Sequence, residues 1–470
     1  VAYFAAVPEK PGGFFVDEAS IAYNAHTIAT HGVDEFGNTS PLYFRAFGEY
    51  KSPVYIYALS AIFKVTGPSI RAARMLSAAA GLAAALLLGL LAFQITRQRI
   101  AALAVFLAAG LTPWFFEISR LVFEVALFPA LLALFLLLLL RASKGTTWSV
   151  PISVALGTLL GLMFYTYSAG RLLAPLFAFG LALFLTRERW RAVVLIWIMF
   201  GLTLLPIGYF TLRHPGVLGE RFKHVTYVKP EDSRIQITAR FASNYVHNFS
   251  PRSWLLKGDP EPRHHLPGMG SLLAGATILA LMGFAIVVLR RRRDAWWRFI
   301  IYGLAVSPIP ASLTLDHFHT LRLIALPVFL IVLTVPAIEF LLDTTAGRRN
   351  GRREVLATLA VAIILQGAFF QESFHTSPPR VDAFDSYYPD LLRPALDHPQ
   401  RPIYLHDKTP AAYVYAYWYA TLRGVSVNNF QRISRDEAPP PGAVVISHEL
   451  PCKNCEMIQE RGQFRVYRQK

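Results

Sequence analysis

Ten apolar runs of membrane-spanning or near-spanning length, at about 71–96, 100–117, 121–140, 150–167, 169–186, 190–212, 269–289, 297–313, 321–342 and 354–371, dominate the chain. Each approaches the ~20 residues needed to cross a bilayer core as a helix. Backbone groups in lipid must be satisfied internally, so such a chain folds as a helical bundle. Composition agrees: charged residues are 16% of the chain, against roughly 25% in soluble domains.

The net charge of +16 does not indicate nucleic acid, because the cations sit in short loops rather than on one continuous face. Arg97 and Arg99; Arg141 and Lys144; Arg187, Arg189 and Arg191; Arg290 to Arg293 with Arg298; and Arg348, Arg349, Arg352 and Arg353 fall in alternate loops. The positive-inside rule puts these loops in the cytoplasm and residues 1–70, 213–268 and 372–470 outside. The expectation is a multi-pass protein of the plasma (inner) membrane, its site on the periplasmic or extracellular face. Segment 53–66, PVYIYALSAIFKVT, is apolar but has only 14 residues and contains Lys64. Counting it as a span would break the alternation, so an interfacial helix is expected. The opening VAYFAAVP reads as the tail of a longer apolar segment, so a helix is expected to precede it.

The predicted architecture is an all-α polytopic membrane bundle with surface helices in the first exterior loop and a small exterior C-terminal α/β domain. Its regions are an exterior loop at 1–70, a bundle of about ten helices at 71–371 that includes the exterior loop 213–268, and the tail 372–470. The long 213–268 loop exceeds what a passive connection needs. In the tail, RPIYLH (401–406), AVVISH (443–448) and FRVYR (464–468) read as strands around a helical PAAYVYAYWYATL (410–422). Cys452 and Cys455 are the chain's two cysteines; outside the cytoplasm, a local disulfide is the expectation, ahead of a metal half-site or redox pair.

The exterior segments hold the residues that could carry chemistry. Asp17 and Glu18, in FFVDEASIAYNAHTIATHG, could cap a helix and suit its dipole, or supply a general base just above the bilayer. Glu49 and Lys51 precede the interfacial helix; Lys51 could anchor it by snorkelling or hold an anion. Arg120 and Glu124, four apart in FFEISRLVFEVALF, read as partners on one helical face, yet ionisable residues at a span mark a functional site by default. Arg171 and Arg322 stand at helix entrances and, with Arg120 and Lys51, make a candidate phosphate cradle. His317 and His319 are weak metal candidates, His264 and His265 weaker ones, and no metal ligand set is assigned.

Taken in order, VDEASIAYNA, EYKSPVYIY, RAARMLSAAAG, SRLVFE and YTYSAGRLL resemble the GT-C membrane glycosyltransferases of the protein O-mannosyltransferase and lipid A aminoarabinose transferase type, glycosyltransferase family 39. Ser52 stands where that family often has a proline. The resemblance implies transfer of a hexosyl or pentosyl group, with inversion, from a polyprenyl-phosphate-linked donor to an acceptor (protein, lipid or glycan) at the outer membrane face. It implies Asp17 as the catalytic carboxylate with Glu18 beside it, Lys51 with Arg120, Arg171 and Arg322 on the donor phosphate, and Glu49 and Glu124 in support. No cofactor is required, with a divalent ion left open; membrane lipid is a partner and nucleic acid is not. A transporter or flippase of a lipid-linked sugar is the alternative, but transporters show paired repeats and broken mid-membrane helices, whereas these charges cluster at one face.

Overall fold

The computed structural model describes residues 2–47, 49–216, 219–343, 349–408 and 411–470; Arg348 of the last basic loop lies outside them. The chain forms two compact units, one of residues 1–3 with 77–377 and one of residues 4–76 with 378–470.

The first is the helical bundle. Each predicted apolar run contains a helix, though 100–117 and 297–313 are each broken into two, at Thr112 and at Ser307–Pro308. Among the described residues, six helices are long and apolar enough to cross a membrane: Ile70–Thr96, whose first turns belong to the other unit, Glu124–Ser143, Trp190–Arg213, Ala274–Arg291, Ala325–Leu342 and Gly351–Thr376. Arg99–Leu111, Val150–Thr166 and Gly170–Phe184 are shorter apolar helices, as is Ala295–Val306. Ala325–Leu342 is buried along most of its length, the signature of a helix surrounded by other helices.

Basic loops gather at one end of this unit. Lys144 donates to the Gln94 carbonyl, Arg189 to the carbonyls of Ser143 and Gly145 at 3.1 and 2.7 Å, and Arg298 to that of Leu183 at 3.2 Å. Other loops gather around residues 114–124, 244–266 and 312–322: Trp114 donates to the Thr320 carbonyl at 3.1 Å and Asn244 to that of Thr314 at 3.1 Å. Gathering the loops into two groups in this way is what alternating spans produce.

The second unit joins the first loop to the tail, which the sequence presents as separate regions. Helix α1 (Val16–His31) ends at Gly32, whose φ of 73° suits a residue without Cβ. A short hairpin, β1 (Phe44–Ala46) and β2 (Glu49–Lys51), pairs Phe44 with Lys51. Helix α2 (Pro53–Thr66) follows at once, with Pro53 in its first turn, where the missing N–H costs nothing. It buries Tyr55, Ile56, Leu59 and Phe63, so this 14-residue segment is an amphipathic helix packed on α1.

In the tail, β3 (Ile403–Asp407), β4 (Phe430–Ile433), β5 (Val444–His448), β6 (Cys455–Arg461) and β7 (Phe464–Gln469) form one sheet in the order β4-β3-β5-β7-β6. β4, β3 and β5 run parallel, while β7 is antiparallel to both β5 and β6. The sequence pattern showed three of the five strands; β4 and β6 are mostly exposed and lack the apolar signal. The helix Tyr413–Leu422 joins tail to loop: Trp418 stacks on Phe14 at 5.6 Å between ring centroids and Tyr417 meets Tyr23 at 5.4 Å. Cys452 and Cys455 are disulfide-bonded, with Cα atoms 5.8 Å apart.

Candidate active site

The candidate residues divide between the units: Asp17, Glu18, Glu49 and Lys51 in one, Arg120, Glu124, Arg171 and Arg322 in the other. Each set has its own geometry.

In the loop-and-tail unit, α1 begins at Val16 with Phe15 as its cap. Asp17 therefore lies inside the first turn and does not cap the helix, a correction to the expected start. Glu18 takes that role, accepting the Phe15 N–H at 2.9 Å. Its carboxylate, fully buried, also receives both arms of Arg74, Nε to Oε1 at 3.1 Å and Nη2 to Oε2 at 3.0 Å. Arg74 in turn donates to the carbonyls of Pro11 and Gly13 at 2.6 and 2.8 Å. A planar guanidinium saturated in this way is a structural clamp.

Consecutive residues on a helix point about 100° apart, so Asp17 faces elsewhere. Its side chain is 30% exposed, and Oδ1 lies 2.7 Å from Nζ of Lys51, whose side chain is 2% exposed. The hairpin places that ammonium: Lys51 is the last residue of β2, and its charge lies 5.4 Å from the centre of the Phe47 ring. Glu49, partly buried, opens the same strand opposite Ala46. This pair is an accessible carboxylate held against a sequestered cation.

Two further carboxylates of this unit sit around Arg432. Burial pushes Glu35 up to about 6, against hydrogen bonds from Tyr413 and Asn24 and the Arg432 charge. Burial likewise pushes Asp407 up to about 7, with Arg432 opposing. Tyr413 donates to Glu35 at 2.8 Å, and Arg432 lies 3.7 Å over the Tyr413 ring.

In the bundle, Arg120 and Glu124 do not share a helical face. The helix Pro113–Ile118 ends before Arg120, and a 3-10 turn begins at Glu124, because the chain reverses between two spans there. Arg120 is buried, donates to the Tyr3 carbonyl at 3.0 Å and lies over Phe116 and Phe374. Arg171, partly buried, opens the helix Gly170–Gly180. Arg322 pairs with Asp316 and reaches the Thr314 hydroxyl at 3.0 Å. His317 rests against His247, with 5.1 Å between ring centroids.

Two carboxylates without any sequence signature organise this end. Glu117 takes Nδ1 of His265 at 2.6 Å, while Nε2 of the same ring meets the Met269 carbonyl at 2.7 Å. Both partners are acceptors, an arrangement that favours the protonated ring, which donates from both nitrogens. Burial opposes that charge, yet the Glu117 carboxylate holds the imidazole above its usual range. Gly258, at φ +64°, makes room: a Cβ there would fall 2.0 Å from Nε2 of His265. Asp259 Oδ2 accepts the N–H and hydroxyl of Thr320 at 2.7 and 2.6 Å. Burial disfavours its ionisation, but His264, His319 and Thr320 together hold it well below the usual carboxylate range.

Residues 50–209 match the dolichyl-phosphate-mannose-protein mannosyltransferase family, a segment that contains Lys51, Arg74, Arg120 and Arg171. No curated protein matches the chain in sequence. Among solved structures, ArnT from Cupriavidus metallidurans bound to undecaprenyl phosphate is similar at 15% identity, with 99% of this chain and 96% of that one covered and a TM-score of 0.54. The apo state of ArnT gives 15% identity, coverage of 99% and 95%, and 0.53. The archaeal oligosaccharyltransferase AglB from Archaeoglobus fulgidus, in complex with an inhibitory peptide and a dolichol-phosphate, gives 14% identity, coverage of 91% and 61%, and 0.52. The helical bundle, the C-terminal sheet and the matched segment agree: the chain has the GT-C fold of these structures, and its residues 50–209 are similar to that mannosyltransferase family.

Proposed function

We propose that the protein moves a sugar from a polyprenyl-phosphate donor to an acceptor at the outer membrane face, with inversion, and that Asp17 and Lys51 carry the step. The observation that carries this reading is the 2.7 Å contact between Lys51 Nζ and Asp17 Oδ1. A lipid-linked phosphate is suggested by the undecaprenyl phosphate on ArnT and the dolichol-phosphate on AglB, together with the family match around Lys51.

Asp17 takes a proton from the acceptor hydroxyl or amine as that atom forms its bond to the anomeric carbon. The bond from that carbon to the phosphate oxygen breaks, and its electron pair leaves with the lipid phosphate. An ammonium has three N–H donors, so Lys51 can orient the carboxylate and hold a phosphate oxygen at once. Its charge counts most as the phosphate gains negative charge. Glu18 acts through position: clamped by Arg74, it fixes the first turn of α1 and hence Asp17. Arg171 and Arg322 keep the anion-binding role that the resemblance gives them, and Glu49 and Glu124 the supporting one; Arg120, committed to Tyr3 and two rings, is assigned to positioning.

Incubating the purified protein with a panel of polyprenyl-phosphate sugars and candidate acceptors tests this reading. Release of free polyprenyl phosphate with an inverted anomeric centre in the product is expected. Donor that stays intact across the panel while being moved between leaflets of proteoliposomes would mark a carrier instead.

A further inference from the structure

We propose that Asp259, His264 and His319 form a binding site for one divalent transition-metal ion of the zinc class. Two loops of the bundle unit supply them, and a ligand atom of each lies within 4.8 Å of the others. Asp259 and His264 are buried and His319 is partly buried.

Three features favour an ion over a simple charge pair. Nδ1 of His264 is 3.5 Å from Oδ2 of Asp259, yet in this buried position it makes no hydrogen bond. That separation is close to the edge, about 3.4 Å, of a tetrahedron whose ligands stand ~2.1 Å from zinc. The His264 and His319 rings lie 4.9 Å apart at 46°, converging rather than stacking.

The surroundings have the support that metal ligands need. Thr320 donates twice to Asp259 Oδ2, while the Glu261 N–H donates to Oδ1 at 2.9 Å. Phe123 packs edge-on against His264 at 6.0 Å. The clamp of His265 between Glu117 and Met269 fixes the loop immediately beside His264.

Two imidazoles and one carboxylate suit zinc and its neighbours better than magnesium or calcium, which prefer oxygen ligands. Three protein ligands also leave at least one coordination position for water or an anion oxygen. The proposal is independent of the roles given to Asp17 and Lys51.

The test uses untagged full-length protein, purified in detergent without chelator. After equilibration with zinc and gel filtration, elemental analysis should find about one ion per chain. Cobalt added to chelator-stripped protein should produce the visible absorption of a low-coordinate site. His264→Ala and His319→Ala should each weaken zinc binding by more than about tenfold, since losing even a supporting contact typically costs 10–100-fold; His317→Ala should not. His319 is only partly buried, so its variant keeps the test valid should His264→Ala fail to fold. Wild-type protein that retains no zinc above background, or His319→Ala and His317→Ala that retain it equally, would overturn the site and leave an Asp259–histidine charge pair.

Discussion

Lys51 Nζ stands 2.7 Å from Asp17 Oδ1, with the ammonium sequestered and the carboxylate partly open to solvent. The two residues are 34 positions apart, brought together because β2 ends at Lys51 while Asp17 sits in the first turn of α1. Glu18, adjacent to Asp17 in sequence, is fully buried against Arg74. One residue step, about 100° around the helix, thus separates a carboxylate that holds structure from one that stays partly open to solvent.

Lys51→Ala is expected to raise KM for the lipid-linked donor and to lower kcat. A charge-assisted hydrogen bond is worth about 1.5–3 kcal/mol, or roughly 10- to 150-fold in kcat/KM. Lys51→Arg should recover part of the loss by keeping the charge. Steady-state kinetics against donor concentration give the answer; an unchanged KM and kcat in Lys51→Ala would remove the lysine from the phosphate.

Arg74→Ala should destabilise the loop-and-tail unit rather than change the chemistry directly. It strips a fully buried carboxylate of its partner and leaves the Pro11 and Gly13 carbonyls without a donor. Breaking a buried pair from one side costs about 3–5 kcal/mol. A marked fall in Tm and in yield of folded protein is expected, and a Tm within a degree of wild type would contradict the clamp.

The spans were legible because lipid imposes length and hydropathy on each segment locally, and the basic loops alternate between them. The helix that follows Lys51 was legible too, from PVYIYALSAIFKVT, whereas the short strand that ends at Lys51 was not. The Glu18–Arg74 clamp was not, because its partners are 56 residues apart and Arg74 reads as one more cation at a helix entrance. The helical face expected for Arg120 and Glu124 failed for a different reason: four-residue spacing gives a shared face only inside a helix, and the chain turns between them. His264 and His319 looked like two separate histidine pairs, since no spacing motif links loops that only the folded bundle brings together.

Stability should depend on pH through Glu35 and Asp407. Both are held above their ordinary values, to about 6 and about 7 respectively, by burial. A carboxyl raised on folding contributes stability that is complete below its ordinary value, near 4, and is lost as pH climbs through its folded value. Tm should therefore decline between pH 5 and pH 8. A tenfold change in proton affinity on folding is worth about 1.4 kcal/mol, and partial exposure reduces the share of Asp407 to about 1–2 kcal/mol. Asp407→Asn should flatten the profile and raise Tm at pH 8; an unaltered profile would contradict this origin.

The loop charges predict which loops face the cytoplasm. With Cys452 and Cys455 replaced by serine, a single cysteine at Gln98 should resist an impermeant thiol reagent in intact cells, and one at Arg263 should react. Equal labelling of both would contradict alternating spans.

The most direct measurement is the initial rate of polyprenyl phosphate release by Asp17→Asn beside wild type, at saturating donor and acceptor. Asparagine keeps the shape of the side chain, and the Phe15 N–H remains with Glu18, so folding should be preserved. Loss of a general base predicts a fall of about 10²–10⁴ in turnover with donor binding retained. Turnover equal to wild type in folded Asp17→Asn would contradict the assignment of Asp17 as the base.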